Sequence, residues 1–260
     1  MEKNVVRIFE VIAGPCSAES EKQVIDTAAE LSAIGISVMR VGLWKPRSRY
    51  GCFEGMGEKA LPWLAAVKKQ FGIEIMTEVA TASHVECALK SGIDRLWIGA
   101  RTTVSPFMMS ELASALRGVD IPVFIKNPIC PDANLWKGSV ERILKSGIEK
   151  VSLIHRGFCL YNNSPYRNTP LWEICLDVKH EFGNVPLYCD PSHMAGKRDL
   201  IPDLCRDALD YDIQGFFIES HCCPDMALSD ASQQLSPVQL KNILDDLVNT
   251  ANTSVKFKVF

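Results

Sequence analysis

The stretch I-E-I-M-T-E-V-A-T-A-S-H-V-E-C-A-L-K-S-G-I-D-R-L-W-I-G-A-R, residues 73–101, contains one complete unit of the pattern that runs through this chain. Its two apolar segments, I-E-I-M-T-E-V and D-R-L-W-I-G-A, have the length and composition of buried strands. Between them, residues 82–91 have the spacing of an amphipathic helix, and Gly92 follows as the left-handed cap at which helices commonly end. This order predicts two parallel strands joined by a helix.

The same alternation extends in both directions along the chain. The predicted strands are F-E-V-I-A-G, I-S-V-M-R-V, I-E-I-M-T-E-V, D-R-L-W-I-G-A, P-V-F-I-K-N, K-V-S-L-I-H-R, P-L-Y-C-D and G-F-F-I-E-S-H. The predicted helices cover residues 20–34, 57–70, 82–91, 106–117, 135–146, 170–182, 198–210 and 237–250. Eight such units predict a single (β/α)8 TIM barrel over residues 1–260. The tail after the last helix, residues 252–260, is expected to cross the surface or leave the domain.

A doubly wound open sheet is the alternative to the barrel, because it also alternates strands with helices. Such a sheet ordinarily carries a glycine-rich dinucleotide loop after its first strand. The segment after F-E-V-I-A-G is P-C-S-A-E-S, which has no such loop. The count of eight units and this missing loop favour the barrel.

Composition restricts the class of protein. Apolar residues make up 47% of the chain and charged residues 23%, as in globular proteins. The net charge of −3 gives no sign of a nucleic-acid partner. No apolar run reaches the roughly 20 residues of a membrane span, and the N-terminus lacks the apolar region of a signal peptide. Ten cysteines occur without a CxxC pair, so we expect free thiols in a cytoplasmic protein rather than a zinc ribbon.

Cationic side chains follow several predicted strands, at the end where barrel enzymes carry their active sites. They are Arg40, Lys45, Arg47, Arg101, Lys126 and Arg156. Three of them fall within R-V-G-L-W-K-P-R-S, residues 40–48. Arginine binds phosphate and carboxylate through a planar fork, and lysine binds them as a point charge. Six cations around one cavity therefore predict more than one anionic group in the ligand. Surface ion pairs are the alternative, but they fit poorly because these residues end apolar strands.

A second group of side chains at strand ends has the chemistry of metal ligands. It comprises Cys16, His193, Glu219 and Asp230. A thiolate, an imidazole and two carboxylates can together bind a divalent transition metal, although this mixed set does not select one ion. Taken singly, Cys16 fits a small buried apolar residue and His193 a loop residue. Their joint position at the ends of predicted strands 1, 7 and 8 favours a metal site.

Short motifs at these positions identify a family resemblance. They are A-G-P-C-S at 13–17, R-x-x-x-x-K-P-R at 40–47, G-A-R at 99–101, K-N-P at 126–128, H-R-G at 155–157, D-P-S-H at 190–193, E-S-H at 219–221 and S-D-x-x-Q at 229–233. In this order they resemble the 3-deoxy-D-arabino-heptulosonate 7-phosphate (DAHP) synthases. The resemblance is to the short type I form, which is related to 3-deoxy-D-manno-octulosonate 8-phosphate synthase. Each motif is weak alone, whereas the set is highly specific and spans nearly the whole chain.

The resemblance implies a metal-dependent, aldol-like condensation of phosphoenolpyruvate with erythrose 4-phosphate and water. The products are DAHP and phosphate, in the first step of the shikimate pathway to chorismate and the aromatic amino acids. In the family's terms, phosphoenolpyruvate is held by Arg40, Lys45, Arg101, Lys126 and Arg156. Erythrose 4-phosphate is held by Lys45, Pro46, Arg47 and Ser48, where Ser48 replaces the threonine usual in the family.

The resemblance also implies the roles of the remaining residues. One divalent ion is held by Cys16, His193, Glu219 and Asp230, with Mn²⁺ as the first candidate and Fe²⁺, Co²⁺ or Zn²⁺ as alternatives. The expected catalytic residues are Lys45, Glu78, Lys126, Asp190 and His193. Among these, Glu78 with Lys126 is expected to orient the attacking water. Either Asp190 or His193 handles protons, and the sequence leaves that choice open.

Several alternatives to this reaction stay open. Octulosonate 8-phosphate synthesis from arabinose 5-phosphate uses the same chemistry, but those relatives carry K-A-N where this chain has K-P-R. Their metal-independent forms carry asparagine at the position of Cys16. A Schiff-base aldolase with Lys126 as nucleophile is a second alternative. A phosphate-sensing barrel without activity is a third, but such a protein has no use for four metal ligands.

Partners follow from the same resemblance. We expect the two small-molecule substrates, a homo-oligomer, and no nucleic acid or membrane. The K-N-P-x-x-P-D stretch followed by L-W resembles relatives that are fused to chorismate mutase. A chorismate mutase domain, C-terminal to this barrel, is therefore a candidate partner.

Overall fold

The computed structural model describes residues 7–46, 50–161, 163–250 and 255–258. Its strands are β1 (Arg7–Gly14), β2 (Val38–Arg40), β3 (Glu74–Val79), β4 (Arg95–Ile98), β5 (Val123–Lys126), β6 (Val151–His155), β7 (Leu187–Cys189), β8 (Gly215–Glu219) and β9 (Val255–Phe257). Its α-helices are α1 (Glu21–Ala33), α2 (Leu61–Phe71), α3 (Ala82–Lys90), α4 (Ala100–Thr103), α5 (Pro106–Ala115), α6 (Ala133–Lys145), α7 (Trp172–Glu181), α8 (Pro191–Ala195), α9 (Ile201–Ala208) and α10 (Pro237–Thr250). Short 3₁₀ turns cover Gly57–Ala60, Arg198–Leu200 and Pro224–Met226.

Strands β1 to β8 form a closed barrel of parallel strands. Each pairs with its successor from β2 to β8, and β1 pairs with both β8 and β2. Ile12 of β1 lies opposite Phe217 of β8 on one side and opposite Val38 of β2 on the other. The expected single (β/α)8 barrel is therefore confirmed, and the open-sheet alternative is wrong.

The barrel interior is filled by one side chain from each of these eight strands. They are Ile12, Val38, Met76, Trp97, Phe124, Ile154, Tyr188 and Phe217, all at most 7% exposed. Trp97 and Phe217 meet edge to face with ring centroids 5.3 Å apart, as do Phe124 and Tyr188 at 5.1 Å. This layer closes the barrel beneath its C-terminal end, so that polar side chains at the strand ends rest on a packed floor.

The helices cover the outside of the barrel with their apolar faces. In α1, Val24, Ala28 and Leu31 recur at helical spacing and are fully buried. Burial of a side chain such as Leu31 stabilises the fold by about 1.5–3 kcal/mol. Ser20 starts this helix by accepting a hydrogen bond from the Gln23 amide, which satisfies one of the unpaired groups of the first turn. No helix among the described residues is long and apolar enough to cross a membrane.

Three elements differ from the sequence expectations. The tail contributes β9, which pairs in parallel with the start of β1, so the described part of the tail packs on the barrel. Phe257 lies 6.1 Å from Phe9 between ring centroids, and this contact accounts for the docking. The short helices α4 and α8 were not predicted, because a helix of four or five residues is too short to show periodicity. They carry the G-A-R and D-P-S-H motifs.

Candidate active site

A cavity of about 210 Å³ opens at the C-terminal end of the barrel. The cations that line it are Lys45, Arg101, Lys126, Arg156 and Arg167. Four of the six cations predicted from strand ends are thus brought together, while Arg47 and Ser48 lie outside the described residues. The lining also includes Pro46, Glu78, His193 and Asp230. Concentrated positive charge of this kind favours a small ligand with several anionic groups.

Arg40 lies beneath the cavity rather than on its wall. Its guanidinium is 1% exposed and sits between two rings of the interior layer, 4.9 Å from the Trp97 centroid and 4.5 Å from that of Phe217. Nη2 is 3.2 Å from Glu219 Oε1, while Nε and Nη1 have no hydrogen-bond partner among the described residues. A buried guanidinium with unpaired donors is costly, so these donors are available to an acceptor that reaches the floor.

A chain of hydrogen bonds joins three of the predicted catalytic residues. Lys126 Nζ donates to Asp190 Oδ2 over 2.8 Å, and His193 Nδ1 lies 3.0 Å from Asp190 Oδ1. Asp190 also caps α8 by accepting from the His193 amide at 3.1 Å. Burial opposes ionisation of Asp190, but the charges of His193 and Lys126 hold its pKa well below the ordinary value. The carboxylate is therefore ionised, and it orients both the ammonium and the imidazole.

Arg156 is fixed by amide groups on both sides. Its backbone amide donates to Asn127 Oδ1 at 2.7 Å, and its Nη1 donates to Asn168 Oδ1 at 2.7 Å. The side chain is buried, and this burial lowers its pKa to about 10. Arg156 therefore remains charged at neutral pH. Asn127, the middle residue of K-N-P, was not predicted to have this role.

Glu78 and Lys45 form an ion pair in the lining of the cavity. Lys45 Nζ lies 3.9 Å from Glu78 Oε2 and donates to the Cys16 carbonyl at 3.0 Å. A Cβ atom at Gly99 would lie 2.0 Å from Glu78 Oε1, so a side chain at position 99 would displace this carboxylate. Gly99 therefore gives the carboxylate its room, and α4 begins directly after it with Arg101 in its single turn.

Three of the four predicted metal ligands converge. Cys16 Sγ, a carboxylate oxygen of Glu219 and one of Asp230 lie within 4.8 Å of one another. His193 stands at the edge of this cluster, with Nε2 3.7 Å from Glu219 Oε1. Because Nδ1 of that ring bonds Asp190, Nε2 is the nitrogen left for a ligand.

The residues fit a divalent transition metal by their chemistry as well as by their position. Glu219 is fully buried, and its Oε1 makes no hydrogen bond among the described residues. Cys16 donates its thiol proton to Asp230 Oδ2 at 3.3 Å. Burial, then the charge of Glu219, raise the pKa of Cys16 to about 12. A cation would replace this proton and bind the Glu219 oxygen, which has an ion pair with Arg40 but no hydrogen bond among the described residues.

Three residues for which the sequence predicted no role also belong to this site. Arg167 and Asn168 come from the long loop between β6 and α7, and Gln233 from the loop after β8. Gln233 belongs to the S-D-x-x-Q motif, so its position was noted without a role. Arg167 and Asn168 lie in Y-R-N-T, where a cation beside an amide in a long loop after a strand gave only a weak signal.

His155 is a buried histidine next to this site, and the effect of its burial on its pKa can be tested. Its ring is fully buried against Trp172 at 4.7 Å between centroids, and neither nitrogen has a hydrogen-bond partner in the described part of the chain. Burial, then the charge of Arg156, lower its pKa to about 3. The unfolded chain binds a proton here below the ordinary pKa of about 6.5, and the folded chain does not.

The contribution of neutral His155 to the free energy of unfolding is therefore fully present above about pH 6.5. It falls as the pH decreases towards 3. We expect His155→Leu to make the free energy of unfolding less dependent on pH in this window. The difference in slope from the native protein should approach about 1.4 kcal/mol per pH unit. Urea unfolding at a series of pH values measures it, and parallel curves for the two proteins would contradict the assignment.

Comparisons with known proteins identify the family of this chain. The sequence profile of the DAHP synthetase I family matches residues 7–254. A phospho-2-dehydro-3-deoxyheptonate aldolase of Thermotoga maritima is 31% identical over 244 residues, which is 94% of this chain and 70% of the relative. A 2-dehydro-3-deoxyphosphooctonate aldolase of Aromatoleum aromaticum is 28% identical over 95% of this chain and 92% of its own length.

Solved structures give the same result. The crystal structure of the Thermotoga maritima DAHP synthase superposes with a TM-score of 0.84 at 30% identity, covering 96% of this chain and 72% of that one. A truncated form of the enzyme from the same organism gives 0.80 at 30% identity, over 96% and 90% of the two chains. The profile match over nearly the whole chain, together with this likeness, places the chain in the DAHP synthetase I family.

Proposed function

We propose that the protein condenses phosphoenolpyruvate with erythrose 4-phosphate and water to give DAHP and phosphate, the first step of the shikimate pathway. The observation that carries this proposal is one cavity with five lining cations beside a Cys16–Glu219–Asp230 cluster. Both substrates are phosphate esters, and one also carries a carboxylate. Holding two such anions side by side requires the positive charge that these residues concentrate.

Phosphoenolpyruvate is assigned to the inner part of the cavity. Arg101, Lys126 and Arg156 line it, and buried Arg40 has two donors without a hydrogen-bond partner among the described residues. Lys45 stands between this region and Pro46, which leads to Arg47 and Ser48. We assign the phosphate of erythrose 4-phosphate to that segment, because its proline-stiffened cations lie beyond the strand end. Lys45 then contacts both substrates.

The reaction joins C3 of phosphoenolpyruvate to the aldehyde carbon of erythrose 4-phosphate. Positive charge develops at C2, a water molecule adds there, and the resulting hemiketal phosphate releases phosphate by cleavage of its C–O bond. A bound divalent ion would supply Lewis acidity towards the aldehyde oxygen. Cys16, His193, Glu219 and Asp230 would hold that ion, and Mn²⁺ is the first to test because the carboxylates suit it while the thiolate also suits Fe²⁺, Co²⁺ or Zn²⁺.

The chain's own residues position the water and move the protons. Glu78, 3.9 Å from Lys45 at the cavity wall, accepts a proton from the attacking water while Lys126 orients it. Asp190 holds His193 through Nδ1, so this carboxylate serves as a fixed anchor rather than as a proton carrier. Glu78 is therefore the group that takes the proton of the water, His193 keeps Nε2 for the ion, and Asp190 keeps Lys126 charged through their 2.8 Å bond.

A phosphate-release assay tests the proposed reaction. Purified protein with phosphoenolpyruvate should release phosphate when erythrose 4-phosphate is added, at a rate at least about ten times that with arabinose 5-phosphate. EDTA should remove the activity, and added Mn²⁺ should restore it. Release with arabinose 5-phosphate alone would support octulosonate synthesis instead. Activity that survives EDTA, with covalent trapping by borohydride at Lys126, would support the Schiff-base alternative.

The two anion subsites can be separated by substitution. A charge-assisted hydrogen bond contributes roughly 1.5–3 kcal/mol, which corresponds to about one to two powers of ten in affinity. Arg47→Ala should raise KM for erythrose 4-phosphate by about that factor and leave phosphoenolpyruvate binding nearly unchanged. Arg156→Ala should weaken phosphoenolpyruvate binding by a similar factor. Calorimetry with phosphoenolpyruvate alone measures its binding to both variants, and phosphate release at varied erythrose 4-phosphate gives the KM, with Arg206→Ala on outer helix α9 as the control. The reverse pattern would show that the subsites are assigned backwards.

Homo-oligomer formation and association with a chorismate mutase domain remain predictions from the family resemblance. Both can be tested on the same purified protein. Light scattering gives the oligomeric state, and co-purification with a separately expressed mutase domain gives the association.

A further inference from the structure

Arg167 connects the two carboxylates of the metal cluster. Its Nη1 donates to Asp230 Oδ1 at 3.0 Å and to Gln233 Oε1 at 2.9 Å. Gln233 Nε2 in turn donates to Glu219 Oε2 at 2.7 Å. One guanidinium thus reaches Asp230 directly and Glu219 through an amide that is fully buried.

Asn168, the next residue, contacts the anion side of the cavity. Its Oδ1 accepts from Arg156 Nη1 at 2.7 Å, and its Nδ2 donates to the His193 carbonyl at 2.6 Å. The residue is 4% exposed, so these bonds are shielded from water. A single amide therefore holds a guanidinium assigned to phosphoenolpyruvate and the backbone of a proposed metal ligand.

The backbone around these two residues is held from both sides. The Asn168 amide donates to the Met194 carbonyl at 3.1 Å, and Thr169 exchanges two hydrogen bonds with Phe158 at 2.8 and 2.9 Å. A Cβ atom at Gly157 would lie 2.5 Å from the Asn168 carbonyl oxygen, and φ there is +74°, so the close approach requires glycine. The main chain therefore holds Arg167 and Asn168 in a constant relation, while the Arg167 side chain is 49% exposed and has freedom that a bound ion would remove.

We propose that Arg167 and Asn168 are positioning residues that couple the metal site to the phosphoenolpyruvate site. This inference rests on the proposed function, since it takes a divalent ion and phosphoenolpyruvate as the two ligands. An ion on Asp230 and Glu219 fixes the Arg167–Gln233 bridge, and an anion on Arg156 fixes Asn168. Because the two residues are adjacent on one held segment, each ligand prepares the site for the other. Binding is therefore cooperative, and the enhancement is the same in both directions.

Titration of the metal-free protein with Mn²⁺, followed by electron paramagnetic resonance with and without phosphoenolpyruvate, tests this coupling. Arg167→Gln should weaken Mn²⁺ binding about 10- to 100-fold, the range typical of groups that orient metal ligands. Arg167→Lys should recover part of the loss, because it keeps the charge without the planar fork. Asn168→Ala should retain most Mn²⁺ affinity in the absence of phosphoenolpyruvate, and lose most of the enhancement that phosphoenolpyruvate gives.

Arg206→Gln is the matched control, because Arg206 also contacts two carboxylates, those of Asp203 and Asp246, on the outer surface. It should leave both affinities unchanged. Thermal unfolding of each variant separates a loss of fold from a loss of coupling. If Arg167→Gln does not fold, the Mn²⁺ affinity of Arg167→Lys and its enhancement by phosphoenolpyruvate are used instead. Variants with native affinity and native coupling would overturn this inference alone. Native protein that binds neither Mn²⁺ nor phosphoenolpyruvate would overturn the proposed function as well.

Discussion

Cys16→Ser is expected to remove nearly all activity while leaving the fold intact. The thiol is fully buried just after β1, and its sulfur lies in one cluster with carboxylate oxygens of Glu219 and Asp230, where it would be the sulfur ligand. Serine has the same shape with a slightly smaller oxygen in place of sulfur, but its hydroxyl is a much poorer metal ligand than a thiolate. Loss of an outer-shell partner already costs about 10–100-fold in metal affinity, so loss of this ligand should cost more.

The measurement is phosphate release at limiting Mn²⁺ after chelation, together with Mn²⁺ affinity and thermal unfolding. Cys205→Ser is a suitable control, because Cys205 is another fully buried thiol, on α9 and away from the cavity. It should reduce stability without changing metal affinity. Native activity of Cys16→Ser at limiting metal would contradict the metal assignment.

Lys126→Met should have an effect of similar size on the reaction, for a different reason. Its ammonium lines the cavity 2.8 Å from Asp190, and methionine removes this donor from the anion site. Removal of one preorganised donor costs about 10²–10³ in turnover. The substitution also leaves the buried Asp190 carboxylate without one cationic partner, and breaking such a pair destabilises a fold by about 3–5 kcal/mol.

The double variant Lys126→Met with Asp190→Asn separates these two effects. Neutralising Asp190 removes the uncompensated charge, so the free energy of unfolding should recover in large part. Activity should stay at or below the level of the single variant, because the lost ammonium is not restored and Asp190 also orients His193. Recovery of activity along with stability would show that Lys126 acts only through the fold.

The barrel was predictable because each unit carries its own signals. The segment at residues 73–101 contains a strand, a helix and a glycine cap in order. Eight such units give the number of strands in the closed barrel. The positions of Lys126, Arg156 and Asp190 followed from the same rule, since strand ends meet at one mouth. Lys126 and Arg156 line the cavity and Asp190 bonds Lys126 beneath it, an arrangement that follows from local pattern and barrel geometry.

Other features depend on contacts that no local pattern encodes. Arg40 is the last residue of β2, and the other predicted cations also lie at or after strand ends. Its side chain, however, contacts Glu219 and lies between the rings of Trp97 and Phe217 in the barrel interior. Arg167 reaches Asp230 across 63 residues of sequence, and its place depends on how the loop after β6 folds back. The tail forms β9, where Phe257 packs against Phe9. A strand of three residues is too short to be recognised from the sequence pattern.

A crystal structure with Mn²⁺ and phosphoenolpyruvate, with manganese located by its anomalous signal, tests both proposed sites at once. We expect one manganese peak within bonding distance of Cys16 Sγ, His193 Nε2 and the carboxylates of Glu219 and Asp230. We also expect the phosphoenolpyruvate anion beside Lys126, with its phosphate and carboxylate on Arg101 and Arg156. A manganese peak elsewhere, or phosphoenolpyruvate bound away from these cations, would contradict these assignments.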